Sequence, residues 1–213
     1  MSSDAAPRRG ARAGPGRRRY ATRQPRAVRR EQILDATLRL IAQHGWPAMT
    51  MDRVAAEADI AKSVVYAIFE SQAGLQHALM QREQERGYAL AADALAAGRA
   101  ADTPGAAVAA ALATYLEGVE REPETWKLVL MPIDGAPDGV REAIREGRER
   151  WRLEMLALVE EQLGGAGIDT DLLTHLLRGS AEYLARLLLE DPKRFPRERL
   201  TKEIATIAAR LTG

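Results

Sequence analysis

The stretch from Gly45 to Ser71 limits this chain more than any other. It reads GWPAMTMDRVAAEADIAKSVVYAIFES, and residues that stop or start helices recur in it at short intervals. Gly45 ends a preceding helix, and no helix continues through Trp46-Pro47. Thr50 is a good N-cap for a helix over 51–58. Asp59 tolerates left-handed backbone and takes a turn that Ile60 plugs. A third helix then fits over 61–69. Two helices and a tight turn within some twenty residues is the spacing of a helix-turn-helix unit.

The flanking segments extend the helical reading. Pro25 suits a first helical turn, and Ile33, Thr37, Leu40, Ile41 and His44 recur at helical spacing over 26–44. Further helices are expected over 72–98, 104–120, a short one from Pro123 closed by Pro132, 140–163, 171–190 and 197–211. The breaks are Asp102-Thr103-Pro104, the Gly/Pro loop 133–139 and Gly164-Gly165 with Gly167. Alanine is abundant and β-branched runs are scarce, so the expected fold class is all-α.

Composition removes several alternatives. With no cysteine, disulfide scaffolds and thiolate chemistry are excluded. No apolar run approaches the ~20 residues that cross a bilayer, and the Arg-rich start lacks the apolar core of a secretory signal. A soluble cytoplasmic protein is expected. The net charge of +1 hides an asymmetry: residues 1–30 hold ten arginines and one acid, Asp4, so the remainder is net negative. A basic arm on a mildly acidic body suits an anionic polymer. Residues 1–24 are too poor in apolar groups to offset ordering entropy and are read as disordered when free.

The third helix raises a question of function, because Lys62, Ser63 and Tyr66 sit among Val64, Val65, Ile68 and Phe69. One side of such a helix packs and the other is free to read DNA. The pattern Gly45-Trp46, Thr50, Val54-Ala55, Ala58, Ile60, Tyr66, Phe69, Ser71 and Leu75 resembles the DNA-binding domain of the TetR/AcrR family. The body beyond it matches that family in length and helix number only. The resemblance implies a disordered basic arm (1–24), a three-helix helix-turn-helix DNA-binding domain (25–75) and a helical ligand-binding and dimerisation domain (76–213). It also implies a homodimer placing two recognition helices in successive major grooves of double-stranded DNA.

Carried onto this sequence, the family's contacts fall at Lys62 and Ser63, near base edges and phosphates, at Val64 against a thymine methyl, and at Tyr66. Ala67 stands where an aromatic is common, and Thr50 both caps its helix and faces a phosphate. The chain departs from the family pattern at Asp59 for Gly, Ala61 for a capping residue, Ile68 for His and Gln72 for a phosphate-binding Lys. Residues 31–75 carry three basic side chains against six acidic ones. Arg26, Arg29 and Arg30, with Arg17–Arg19 and Arg23, are therefore expected to supply phosphate or minor-groove contacts.

In the body, Tyr115, Trp126, Met131, Trp151 and Met155 are large, adaptable side chains suited to a mostly apolar small-molecule effector. His175 and Arg152 are candidate polar anchors. Leu173, Leu176, Leu177, Leu184, Leu187 and Leu188, with small residues at 179–181 and Ile204, Ile207, Ala208 and Leu211, form a stripe read as a dimer seam. The run 141–152 alternates in charge and reads as a solvated face. His44, His77 and His175 have no metal-ligand spacing, and neither a phosphate loop nor a nucleophile elbow is present. No catalytic residue, metal or cofactor is expected. The resulting expectation is a ligand-responsive transcriptional repressor. A constitutive architectural DNA binder, or a helical small-molecule binding protein with a weakened DNA module, are its rivals.

Overall fold

The computed structural model describes residues 25–130 and 135–212 of the chain. Among the described residues all regular structure is helical. The helices are α1 (Arg26–His44), α2 (Met51–Glu57), α3 (Lys62–Phe69), α4 (Gln72–Arg99), α5 (Pro104–Arg121), α6 (Pro123–Leu130), α7 (Asp138–Leu163), α8 (Thr170–Glu190) and α9 (Arg197–Thr212). A 3-10 turn over Trp46–Ala48 follows α1.

Local chemistry explains the boundaries. Gly45, at φ 75°, leaves α1 while its N–H donates to the Ile41 carbonyl at 2.8 Å. Side-chain oxygens of Thr50, Ser71 and Thr103 accept from backbone N–H groups at the starts of α2, α4 and α5. Asp59 adopts φ 52°, and the Ile60 N–H donates to the Ala55 carbonyl at 3.0 Å, closing the turn between α2 and α3. Helix α3 itself starts after Ala61 with no side-chain cap.

Several boundaries differ from the expected ones by one or two residues, and two of the shifts show their cause. Helix α7 begins at Asp138 rather than 140, because the Pro137 carbonyl already accepts from the N–H groups of Val140 and Arg141. Helix α8 begins at Thr170 because Asp169, not a later residue, caps it by accepting from the Leu172 N–H at 3.0 Å. His44, expected on the buried face of α1, is exposed at the helix end.

Two apolar clusters hold the fold. The first gathers Ile33, Leu34, Val54, Val65, Phe69, Leu75 and Leu79 from α1 to α4, and takes in Leu128 of α6 and Val140 and Ile144 of α7. The second joins Leu90 of α4, Leu112, Tyr115, Leu116 and Val119 of α5, Trp126 of α6, Ala185 and Leu188 of α8 and Leu200 of α9. A fully buried Val or Leu of this kind contributes about 1.5–3 kcal/mol. Helix α4 runs through both clusters, so its two ends are packed into different neighbourhoods. The one buried hydroxyl on α1, that of Thr37, is satisfied by donating to the Ile33 carbonyl at 2.7 Å.

Arg82 of α4 fastens α1 to this spine. Its side chain is 10% exposed and lies 3.1 Å from Glu31 and 2.7 Å from Asp35, both on α1, and 2.8 Å from Glu83. The Glu83 side chain is fully buried and accepts from the Thr125 hydroxyl of α6 at 2.6 Å. One hydrogen-bonded chain thus links α1, α4 and α6.

The leucine stripe of α8 divides. Ala181 and Leu188 are buried within the chain, and Leu173, Leu177, Leu184, Leu187 and Ile204 are half-buried. Leu176 and Ile207 stay exposed, and Leu172 and Tyr183 join them at 57% and 61% exposure. Helix α8 packs against both α5 and α7, which consumes part of the stripe. No described helix is long and apolar enough to cross a membrane.

Candidate functional site

The first candidate site is the outer face of α3. Val65 and Phe69 are buried and Ile68 is half-buried against the first cluster. On the other side Lys62, Ser63, Tyr66 and Ala67 are exposed, and Val64 is half-buried between the two. The helix is therefore amphipathic across its short length, with its polar start projecting into solvent. Thr50, at the start of α2, is also exposed.

Lys62 is not free. Its ammonium lies 2.5 Å from Asp52 of α2 and 5.8 Å from the centre of the Tyr66 ring. The hydrogen bond to Asp52 holds the Lys62 amine above its ordinary range, so it stays charged. The neighbouring cation on α2, Arg53, is exposed and has no carboxylate within ion-pair distance among the described residues.

The arginines that open α1 have different neighbourhoods. Arg26 is exposed and donates to the Ala67 carbonyl of α3 at 3.4 Å. Arg29 is half-buried and donates to Gln32, which donates in turn to the Ala58 carbonyl at the end of α2. Arg30 pairs with Glu31 at 3.1 Å and lies over the Phe69 ring. Arg17, Arg18, Arg19 and Arg23 lie outside the described residues.

The second candidate site is a cavity among α4, α5, α6, α7 and α8. It holds about 710 Å³ of empty space, counting its open mouth. Three of the expected aromatics meet there: Tyr115 stands edge-on to Trp126 at 5.1 Å between ring centres, and 5.2 Å from Trp151. Met80, Ala91, Val129, Leu130 and Ile144 complete its apolar wall. Met131 lies outside the described residues.

Met155 and His175 do not line the cavity, which corrects their expected place. Met155 lies one turn beyond Trp151 along α7, past the cavity's edge, and is half-buried. His175 is exposed beside Asp171 at 3.9 Å, about two turns before Glu182, through which α8 reaches the cavity. Arg152 is likewise occupied elsewhere, bridging Glu149 and Asp171 at 2.8 Å each.

The polar lining went unnoticed in the sequence. Glu83 and Gln84 of α4, Thr125 of α6, Arg148 of α7 and Glu182 of α8 all border the cavity. Most of the alternating run in α7 is a solvated face, with pairs such as Arg150 with Glu154 and Arg152 with Glu149. Arg148 differs: it turns inward and donates to the Val129 carbonyl at 2.8 Å. The available signal was spacing, since Ile144, Arg148 and Trp151 follow one another at intervals of four and three and so share a face.

With this geometry in place, the likeness to known proteins is specific. Residues 33–79 match the bacterial regulatory proteins of the tetR family. The HTH-type transcriptional regulator Rv0472c of Mycobacterium tuberculosis (strain ATCC 25618 / H37Rv) is 27% identical over 175 residues, covering 80% of this chain and 71% of that protein. A TetR-like transcriptional regulator from Rhodococcus sp. RHA1 superposes with a TM-score of 0.71 at 25% identity, over 88% of this chain and 97% of the other. The regulator FadR from Bacillus subtilis, solved in complex with stearoyl-CoA, shares the fold at a TM-score of 0.66 and 14% identity, over 84% and 96% of the two chains. A helix-turn-helix unit closed by a packed α3 carries the match to the tetR family of bacterial regulatory proteins, and the all-helical body of matching extent gives the chain the fold of a TetR-like transcriptional regulator.

Proposed function

We propose that the protein is a dimeric, ligand-released repressor that binds a pseudo-palindromic operator. The observation that carries this reading is the two-sided α3: Val65 and Phe69 anchor it while Lys62, Ser63, Tyr66 and Ala67 face outward. In this reading Lys62, Ser63, Val64, Tyr66 and Ala67 meet base edges and the adjoining backbone. Thr50 and Arg26 meet phosphates, and Arg29 and Arg30 steady the helix ends that carry them. The exposed apolar residues Leu172, Leu176 and Tyr183 of α8 and Ile207 of α9 form the seam with a second copy. The cavity receives a mostly apolar effector, as the related fold of FadR receives stearoyl-CoA. Helices α4 and α6 border the cavity and also pack on α1, so an occupant that favours one arrangement of these helices biases the spacing of the two α3 helices.

The test is selection of bound fragments from genomic DNA at low salt, followed by footprinting and a reporter fused to the bound promoter. Two protected half-sites about one helical turn, or a multiple of it, apart are expected, with transcription rising when the protein is removed. A single protected half-site bound by one chain, or no retained fragment, refutes the reading; transcription that falls on removal refutes its repressor part.

A further inference from the structure

The cavity narrows the effector further than its apolar wall does. Three polar atoms buried there have no hydrogen-bond partner among the described residues: Tyr115 Oη, Arg148 Nε and Trp151 Nε1. The indole and guanidinium nitrogens are donors only, and the Tyr115 hydroxyl is available to donate. The three groups adjoin one another. The Tyr115 and Trp151 rings are 5.2 Å apart, and Arg148 sits one turn before Trp151 on the same face of α7. Burial, with the nearby Glu182 charge, pushes the Tyr115 phenol up, so it keeps its proton.

Charge points the same way. Glu182 is shared by Arg178 at 2.5 Å and Arg186 at 3.8 Å. Glu83 is engaged by Arg82, Arg86 and Thr125. Both carboxylates of the lining are therefore already neutralised by their own arginines. Arg148 has no carboxylate within ion-pair distance among the described residues. A wall with three unmatched donors and one surplus cation is complementary to an anionic acceptor.

Resting on the reading of this cavity as the effector site, we infer that the effector is an apolar monocarboxylate. Its carboxylate accepts from Tyr115, Arg148 and Trp151, and its hydrocarbon lies against Met80, Trp126 and Ile144. An acyl thioester has a carbonyl but no charge at that end, so it satisfies the donors and leaves the Arg148 cation unmatched.

The experiment titrates the full chain, without DNA, by calorimetry and by tryptophan fluorescence. The probes are decanoate and 4-phenylbutyrate, each beside its methyl ester, with decylamine and decanoyl-CoA as further arms. Both acids are expected to bind at least about tenfold more tightly than their esters. Arg148→Met, which keeps the apolar stem, brings acid and ester to equal affinity. Tyr115→Phe weakens the acids more than the esters, and the surface control Arg145→Met keeps the full preference. Esters, the amine or decanoyl-CoA binding as tightly as the acids overturns the inference, as does an Arg148→Met protein that still prefers acids. No binding by any probe also overturns it. Because the readout uses no DNA, fragment retention by the same preparation decides the regulator reading separately.

Discussion

Replacing Arg82 with methionine removes the guanidinium that joins α1 to α4 and keeps most of the side chain's length. The Arg82 side chain is 10% exposed, and its innermost partner, Glu83, is fully buried. Without it the Glu83 carboxylate retains, among the described residues, only the Thr125 hydroxyl and a 3.4 Å contact to Arg86. Breaking a buried pair from one side costs about 3–5 kcal/mol, because the other charge is left uncompensated. The contacts to Glu31 and Asp35 reach half-exposed carboxylates and add only about 0–1 kcal/mol each. Since Glu83 keeps two partners, the expected loss is at the low end, about 3 kcal/mol. For a chain of this size that lowers the melting temperature by about 6–12 °C. Circular dichroism melts and urea titrations at one fixed protein concentration measure it. The double variant Arg82→Met/Glu83→Gln, which removes the stranded charge, is expected to recover at least half of the loss. A single-variant loss under about 1 kcal/mol, or a double variant no better than the single, refutes the argument that the buried carboxylate depends on Arg82.

Other outcomes follow from single contacts. Asp52→Asn frees Lys62 and removes a negative charge beside α3, so DNA affinity rises and the salt slope steepens by about 0.9, read by binding at several salt concentrations. Deleting residues 1–24 flattens that slope by about 0.9 for each arm arginine that meets a phosphate; an unchanged slope refutes a role for the arm in DNA binding. Gly118→Ala sets a methyl against the Leu90 side chain, which must turn aside within the packed core, and costs about 1–3 kcal/mol in urea unfolding. Leu176→Glu puts a charge into the exposed stripe of α8, and sedimentation then finds a solitary chain with weakened operator binding.

Helix order and the turn geometry were legible from short-range signals. Gly45, Thr50, Asp59 and Ser71 act on backbone groups within a few residues of themselves, so their effect needs no knowledge of the rest of the fold. The inward and outward faces of α3 were legible for the same reason, since a period of 3.6 residues separates Val65 and Phe69 from Lys62 and Tyr66. The aromatic part of the cavity was half legible: Tyr115, Trp126 and Trp151 meet, while Met155 and His175, equally plausible by residue type, point elsewhere. Residue type marks what a side chain is able to line, and only the crossing of α7 with α8 selects which turn faces the space.

From its own residues, then, this chain determined an all-helical fold, a helix-turn-helix unit and an amphipathic α3, because breakers, caps and periodicity act locally. The tertiary structure alone decided that Lys62 is held by Asp52, that Arg82 ties α1 to the wall of the cavity through Glu83, and that Arg148 leaves its charged neighbours to face that cavity. Each of these joins side chains on different helices or turns one member of a charged run inward, and such pairings are set by how helices pack rather than by the order of residues along any one of them.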